Sequence, residues 1–263
     1  MENRKIVFFD IDGTIYLYGK GVPDDTSEGI RKMRDKGNIA VLCTGRTVSM
    51  IFPEILEVGF DGIIAGAGTY VEYNSKELYR YVMPEALTNE VINAMRKQGI
   101  MAIPEGIEHI YFDSSLMPED YIPVYELYKA SVGENVVDMG NIIQVVASKV
   151  SGAAKNDENI QRMRELFGDR FTFVKHQNKY LEMIPKGYSK AEGIKRLIEH
   201  LGIPWENTYA FGDSMNDYEM LKYVKYGIAM GNAEDEFKSE MNYVTDNYDK
   251  GGIYNALKKF ELI

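Results

Sequence analysis

Cysteine is nearly missing from this chain, Cys43 being the only one in 263 residues. A lone thiol excludes an intramolecular disulfide and any multi-thiolate zinc cluster. Cys43 follows the apolar run Ile39-Ala40-Val41-Leu42, which marks it as a buried structural thiol and not a nucleophile. Long hydrophobic stretches are missing too. Only the short apolar run Ile6 to Phe9 separates Met1-Glu2-Asn3-Arg4-Lys5 from Asp10, too little for a signal peptide. No run elsewhere approaches the roughly 20 residues that cross a bilayer, so the sequence predicts a cytoplasmic protein. Positive charge is in deficit: 30 Lys and Arg face 40 Asp and Glu, a formal net charge of -10. Such a surface repels nucleic-acid phosphates and anionic lipid, and excludes both as general partners. Small anions stay accessible wherever basic residues converge on one pocket. No internal repeat or low-complexity tract is present, and the oligomeric state is not readable.

What the chain does contain is ample core material, with 45% hydrophobic residues including 19 Tyr and 11 Phe. Short apolar strands alternate with amphipathic helices, the pattern of an α/β protein whose parallel sheet is covered on both faces. Strands are expected at Ile6–Phe9, Ile39–Cys43 and Gly62–Ala65. Helices are expected over 27–36 and up to residue 58, and a hairpin pairs 70–73 with 78–82. From about residue 84 the rhythm changes. Helices near 85–98, 118–129 and 157–167 are interleaved with strands near 100–103, 109–112, 142–147, 171–174 and 180–184. After Pro185-Lys186-Gly187 the first rhythm returns, with a helix over 190–200 and strands at 208–211 and 226–229. The division expected is a core of 1–83 and 186–263 interrupted by an α+β unit of 84–185.

Four short features fall at strand or helix ends, where an open α/β sheet places its site. The first is Asp10-Ile11-Asp12-Gly13-Thr14. Two carboxylates at this spacing suit a nucleophile and an acid/base, although Asp-x-Asp-Gly alone also fits a turn or a calcium-loop fragment. The second is Thr44-Gly45-Arg46, whose hydroxyl, flexible amide and guanidinium fit an anion cradle, although taken alone a polar turn with a solvated Arg is the better reading. The third is Ser189-Lys190, a lysine set against the dipole at a helix start, which an anion would reconcile; otherwise it is one more solvated cation among the 30 Lys and Arg. The fourth is Gly212-Asp213-Ser214-Met215-Asn216-Asp217. It clusters Asp213, Asn216 and Asp217 as hard oxygen ligands suited to Mg²⁺, while Asp213 or Ser214 also fits a helix cap. Taken together, Asp10 and Asp213 bracket a divalent cation. Thr44, Arg46 and Lys190 then offer donors to a phosphoryl group.

This ordered set resembles the haloacid dehalogenase superfamily. The inserted middle, Tyr188-Ser189-Lys190-Ala191 and Gly231-Asn232-Ala233 are similar to its Cof-type sugar-phosphatase branch. The resemblance implies a Rossmann-like, doubly wound parallel-sheet core with a mobile α+β cap, and a Mg²⁺-dependent phosphatase of small phosphorylated metabolites. By the same resemblance Asp10 forms an aspartyl-phosphate, and Asp12 protonates the leaving alcohol and then activates water. Thr44 binds the transferring phosphoryl group, and Lys190 neutralises charge beside Asp10. Asp10, the Asp12 carbonyl and Asp213 hold the metal, with Asn216 and Asp217 supporting that shell. Where the branch usually carries Asn-Gly-Ala, this chain reads Ala67-Gly68-Thr69, a departure that bears on substrate placement. Gly45 and Arg46 join Lys175, His176, Asn178 and Tyr180 as candidate substrate contacts. The rival functions are a phosphomutase of related fold, a catalytically silent phosphate-binding protein and a calcium-binding module; against the last, neither acidic loop has full EF-hand spacing.

Overall fold

The computed structural model describes residues 4–141, 144–175 and 180–263. Its chain contacts divide it into two units, Met1–Gly45 with Pro53–Tyr79 and Ser189–Ile263, and Arg46–Phe52 with Arg80–Tyr188.

The first unit is built on an eight-stranded sheet. Its order is Tyr243–Val244, Tyr226–Ala229, Thr208–Gly212, Ile6–Phe9, Ile39–Cys43, Gly62–Ala65, Tyr70–Tyr73 and Lys76–Arg80. The strands from Tyr243–Val244 through Gly62–Ala65 run parallel, and Tyr70–Tyr73 returns antiparallel. Sheets of this kind are covered on both faces, so their central strands are apolar throughout. Ile6–Phe9 and Ile39–Cys43 are buried at every position. Phe8 packs with Val41, Ile64 and the helix residues Ile194 and Leu197. Phe9, pointing the other way, stacks on Phe211 at 5.3 Å. Strand order reverses beside Ile6–Phe9, and that reversal opens the crevice where such sheets hold ligands.

Several elements differ from expectation. The first helix spans Asp24–Asp35, begun by Pro23 and reinforced by Asp24 and Asp25 in its opening turn. The hairpin's second strand is Lys76–Arg80, because Asn74 and Ser75 take φ of 49° and 59° and make a two-residue turn.

The second unit carries a six-stranded sheet ordered Phe171–Lys175, Tyr180–Pro185, Lys149–Ala153, Met101–Glu105, Ile110–Phe112 and Val136–Asp138. Helices Glu85–Lys97 and Asp157–Phe167 cover one face through Val91, Met95, Ile160 and Met163. The opposite face packs Met101, Ile103 and Ala153 against Met50 and Phe112.

The strand expected over 142–147 is a correction. Ile142 and Ile143 lie outside the described residues, 144–147 form no strand, and the strand is Lys149–Ala153. It buries Lys149 between two acids, with its ammonium 3.0 Å from Glu105 and 2.8 Å from Glu182. Burial acts to lower the Lys149 pKa, but the two carboxylates outweigh it and hold the ammonium above the ordinary lysine range.

Candidate active site

Asp10 follows Ile6–Phe9 directly, and its N–H continues the sheet by donating to the Phe211 carbonyl at 3.1 Å. Its side chain is therefore fixed at a strand's carboxyl end, 3% exposed. Gly13 turns the chain next, with φ of +85°, and a Cβ there would run into the Asp213 carboxylate. Only glycine meets both conditions. Thr14, fully buried, donates its hydroxyl to Asp213 at 3.4 Å. Sequence reasoning assigns Thr14 no role, and its position directly after the glycine turn is the signal that marks it.

Lys190 opens the helix Lys190–Leu201, whose start is capped by the Ser189 hydroxyl accepting from the Glu192 N–H. The ammonium lies 2.6 Å from Asp10 and 2.5 Å from Asp217. Burial acts against its charge, yet the two carboxylates prevail and hold it above the usual lysine range. These partners offset the unfavourable dipole that a cation meets at a helix start.

Ser214 and Asp217 form a capping box: the Ser214 hydroxyl accepts from the Asp217 N–H, and the Asp217 carboxylate accepts from the Ser214 N–H. Asp217 also accepts from the Asp213 N–H at 3.0 Å. Its two oxygens are thus engaged by Lys190 and by two backbone donors. Asp213 is more lightly held, which leaves Asp10 and Asp213 better placed to meet a ligand. The Asn216 amide oxygen accepts from the Ser214 hydroxyl at 2.9 Å.

Among the described residues, Asp10, Asp213 and Asp217 are the carboxylates that could share a cation, with one oxygen of each within 4.8 Å of the others. Burial first, then Asp217, pushes Asp10 well above the ordinary carboxylate range against the pull of Lys190. The same two causes push Asp213 up to about 7. One ammonium thus serves three crowded carboxylates, and the excess negative charge with all-oxygen donors fits a hard divalent cation.

Asp12 is exposed at the loop following Asp10. Thr44, at the end of Ile39–Cys43, is 1% exposed, and its carbonyl accepts from the Ala67 N–H at 3.0 Å. Gly45 is the last residue of the first unit's opening segment, and Arg46 groups with the second unit. The Arg46 guanidinium donates to the Met50 carbonyl at 3.1 Å and lies 4.5 Å over the Phe52 ring. Cys43 is buried, and burial raises its thiol far above the ordinary range, as suits a structural residue. His176 and Asn178 lie outside the described residues. Tyr180 stacks on Tyr121 at 6.1 Å and donates to Glu105 at 3.5 Å.

Among the described residues no helix is long and apolar enough to cross a membrane. Comparison with known proteins agrees with this architecture. The profile of haloacid dehalogenase-like hydrolases matches residues 7–257. A Bacillus subtilis (strain 168) protein bearing the name "Putative phosphatase YkrA" is 30% identical, with 99% of each chain covered. The HMP-PP phosphatase of Klebsiella pneumoniae (strain 342) is 28% identical over 91% of this chain and 89% of its own. The solved HAD subclass IIB sugar phosphatase BT4131 superposes with a TM-score of 0.84 at 25% identity, covering 98% of this chain and 100% of that one. The chain belongs to the haloacid dehalogenase-like hydrolase family, and its enzyme class is that of the HAD-type phosphatases.

Proposed function

We propose that the protein is a cytoplasmic, Mg²⁺-dependent phosphatase of small phosphorylated metabolites, sugar phosphates among them, working through an aspartyl-phosphate on Asp10. The observation that carries this reading is the Lys190 ammonium at 2.6 Å from Asp10 inside a three-carboxylate cluster. An anionic nucleophile approaches an anionic phosphate only where positive charge offsets the repulsion.

Asp10 attacks phosphorus through a carboxylate oxygen, and the bond to the ester oxygen breaks. Asp12, exposed three residues beyond the strand end, protonates the leaving alcohol and then takes a proton from the water that cleaves the acyl phosphate. Lys190 holds Asp10 in orientation and draws its pKa down against burial, while Asp217 holds Lys190 and thereby lends it direction. Thr44 offers its hydroxyl to the phosphoryl group. Asp10, the Asp12 carbonyl and Asp213 would hold a magnesium ion, which would supply charge neutralisation there. Residues 84–185 act as the cap that excludes water and selects the leaving group, with Gly45, Arg46, His176 and Asn178 as substrate contacts. The names of the relatives, one a sugar phosphatase and one an HMP-PP phosphatase, support a small phosphorylated substrate.

The test is phosphate release from a panel of phosphorylated metabolites, with Mg²⁺ and with EDTA, for the wild type and Asp10→Asn. Release is expected to require Mg²⁺ and to vanish in the variant. Equal release from both proteins, or none from any panel member by a folded, Mg²⁺-loaded wild type, overturns the reading.

A further inference from the structure

The triplet Gly231-Asn232-Ala233 follows Tyr226–Ala229, and the mechanism above makes no use of it. Ala233 is buried in the core. Gly231 donates its N–H to the Asp246 carbonyl at 3.0 Å. A Cβ at Gly231 would come 2.6 Å from the Asn247 side-chain oxygen and 2.8 Å from the Asn247 backbone nitrogen. The glycine therefore lets this turn press against residues 246–247. Asn232 uses both ends of its amide: it donates to the Gly13 carbonyl at 2.9 Å and accepts from the Tyr248 N–H at 2.8 Å.

Segment 246–250 also reaches the far end of the loop that Gly13 begins. The buried Tyr248 donates its hydroxyl to the Gly21 carbonyl. Lys20 pairs with Asp249 at 3.4 Å, both side chains being about half exposed. The loop that follows Asp12 is thus tied at each end, through Asn232 at Gly13 and through Tyr248 and Asp249 at residues 20–21. Of these ties, only Asn232 acts at the root, where Gly13 lies flat against the Asp213 carboxylate.

We propose that Asn232 is a positioning residue: by fixing the Gly13 carbonyl, it sets the spacing between the Asp10–Gly13 turn and Asp213, and so the geometry of the cation site. This rests on the phosphatase reading above for its metal. Partners one step removed from ligating groups typically govern metal affinity by about 10–100-fold. Asn232 is exposed, so shortening it to alanine removes two hydrogen bonds while leaving the core packing alone.

The experiment titrates Mg²⁺ against melting temperature for the wild type, Asn232→Ala and Lys20→Ala, since a bound cation raises the melting temperature by mass action. Phosphate release is followed in parallel. In Asn232→Ala the Mg²⁺ concentration giving half of the upshift is expected to rise about tenfold. Half-activation of turnover should rise in step, while KM for the phosphate ester holds and kcat recovers at saturating Mg²⁺. Lys20→Ala cuts an exposed tie to the same loop, and its Mg²⁺ midpoint should stay at the wild-type value. A Mg²⁺ midpoint unchanged in Asn232→Ala, or displaced equally in Lys20→Ala, overturns the assignment while leaving the phosphatase reading intact. A wild type that neither binds Mg²⁺ nor releases phosphate overturns both.

Discussion

Replacing Lys190 by methionine removes a charge while keeping most of the side chain's length and volume. The ammonium and its partners Asp10 and Asp217 are 3%, 4% and 0% exposed. Removing one member of a buried ionic group leaves the others uncompensated, at about 3–5 kcal/mol. In a body of roughly 150 residues each kcal/mol moves the melting temperature by about 2–4 °C. Melting of Lys190→Met in EDTA at neutral pH should therefore fall by roughly 6–20 °C. Circular dichroism melts of both proteins read this directly. Adding Mg²⁺ should narrow the gap, because the variant's cluster is the more negative and gains more from a cation. A triple variant carrying Asp10→Asn and Asp217→Asn as well removes both carboxylates that pair with the lysine, and should recover most of the loss, since buried ionic groups are replaceable as a set at little cost. The reasoning is refuted if Lys190→Met in EDTA melts within about 2 °C of wild type, for the carboxylates would then carry no charge that needs the lysine.

Two further changes probe the frame around the site. Gly68 has φ of +88°, and a Cβ there would run into the Ser189 carbonyl oxygen. Gly68→Ala combines a left-handed backbone costing about 1–2 kcal/mol with an overlap costing about 1–3, and should lower the urea midpoint and displace Lys190 enough to cut kcat; unchanged unfolding and turnover would refute it. Burial, followed by the Tyr226 and Tyr243 phenols, raises the Tyr209 pKa from 10.0 to about 12. The folded state therefore holds this proton more tightly than the unfolded chain, and the stability it lends is fully present below pH 10 and is lost as pH rises through about 12. Tyr209→Phe should flatten the fall in urea midpoint across that window, and an unchanged slope would show that another group governs it.

How far the sequence could be read depended on whether a residue's partners are local. Ile6–Phe9 and Ile39–Cys43 are uninterrupted apolar runs because both sheet faces are covered, so their bounds are legible from the residues alone. Lys149–Ala153 is the opposite case. A lysine on a strand reads as solvated until Glu105 and Glu182, each more than thirty residues away, are brought to it. The same distinction divides the site. Asp10, Asp12 and Thr14 sit in one motif, and Ser214 with Asp217 has the spacing of a capping box, so their grouping is local. The pairing of Lys190 with Asp217 joins two segments through the fold, and nothing in either segment announces it. Arg46 has a local contact of its own: one guanidinium nitrogen donates to the Met50 carbonyl and the group lies over the Phe52 ring, a packing with its own loop that the Thr-Gly-Arg spacing does not encode.

The local rules that this chain breaks are broken together, and they connect. The Ala67 N–H donates to the Thr44 carbonyl while Ala67 holds φ of 53°, a conformation that alanine disfavours. That turn delivers Gly68 onto the first turn of the helix Lys190–Leu201, where the space for a Cβ is taken by the Ser189 carbonyl, and Gly193 meets Gly68 in return. The close approach fixes where the helix begins. Its first residue is a lysine set against the helix dipole, and it survives there because Asp10 and Asp217 lie within hydrogen-bonding distance. Burial and the neighbouring Asp217 push the Asp10 pKa up, and the lysine pulls against both. Each departure is unfavourable alone and tolerable in the presence of the next, so the strain at Ala67 and the placement of Asp10 belong to one arrangement. This is the pattern expected where a fold gives up local stability to hold a reactive group in place.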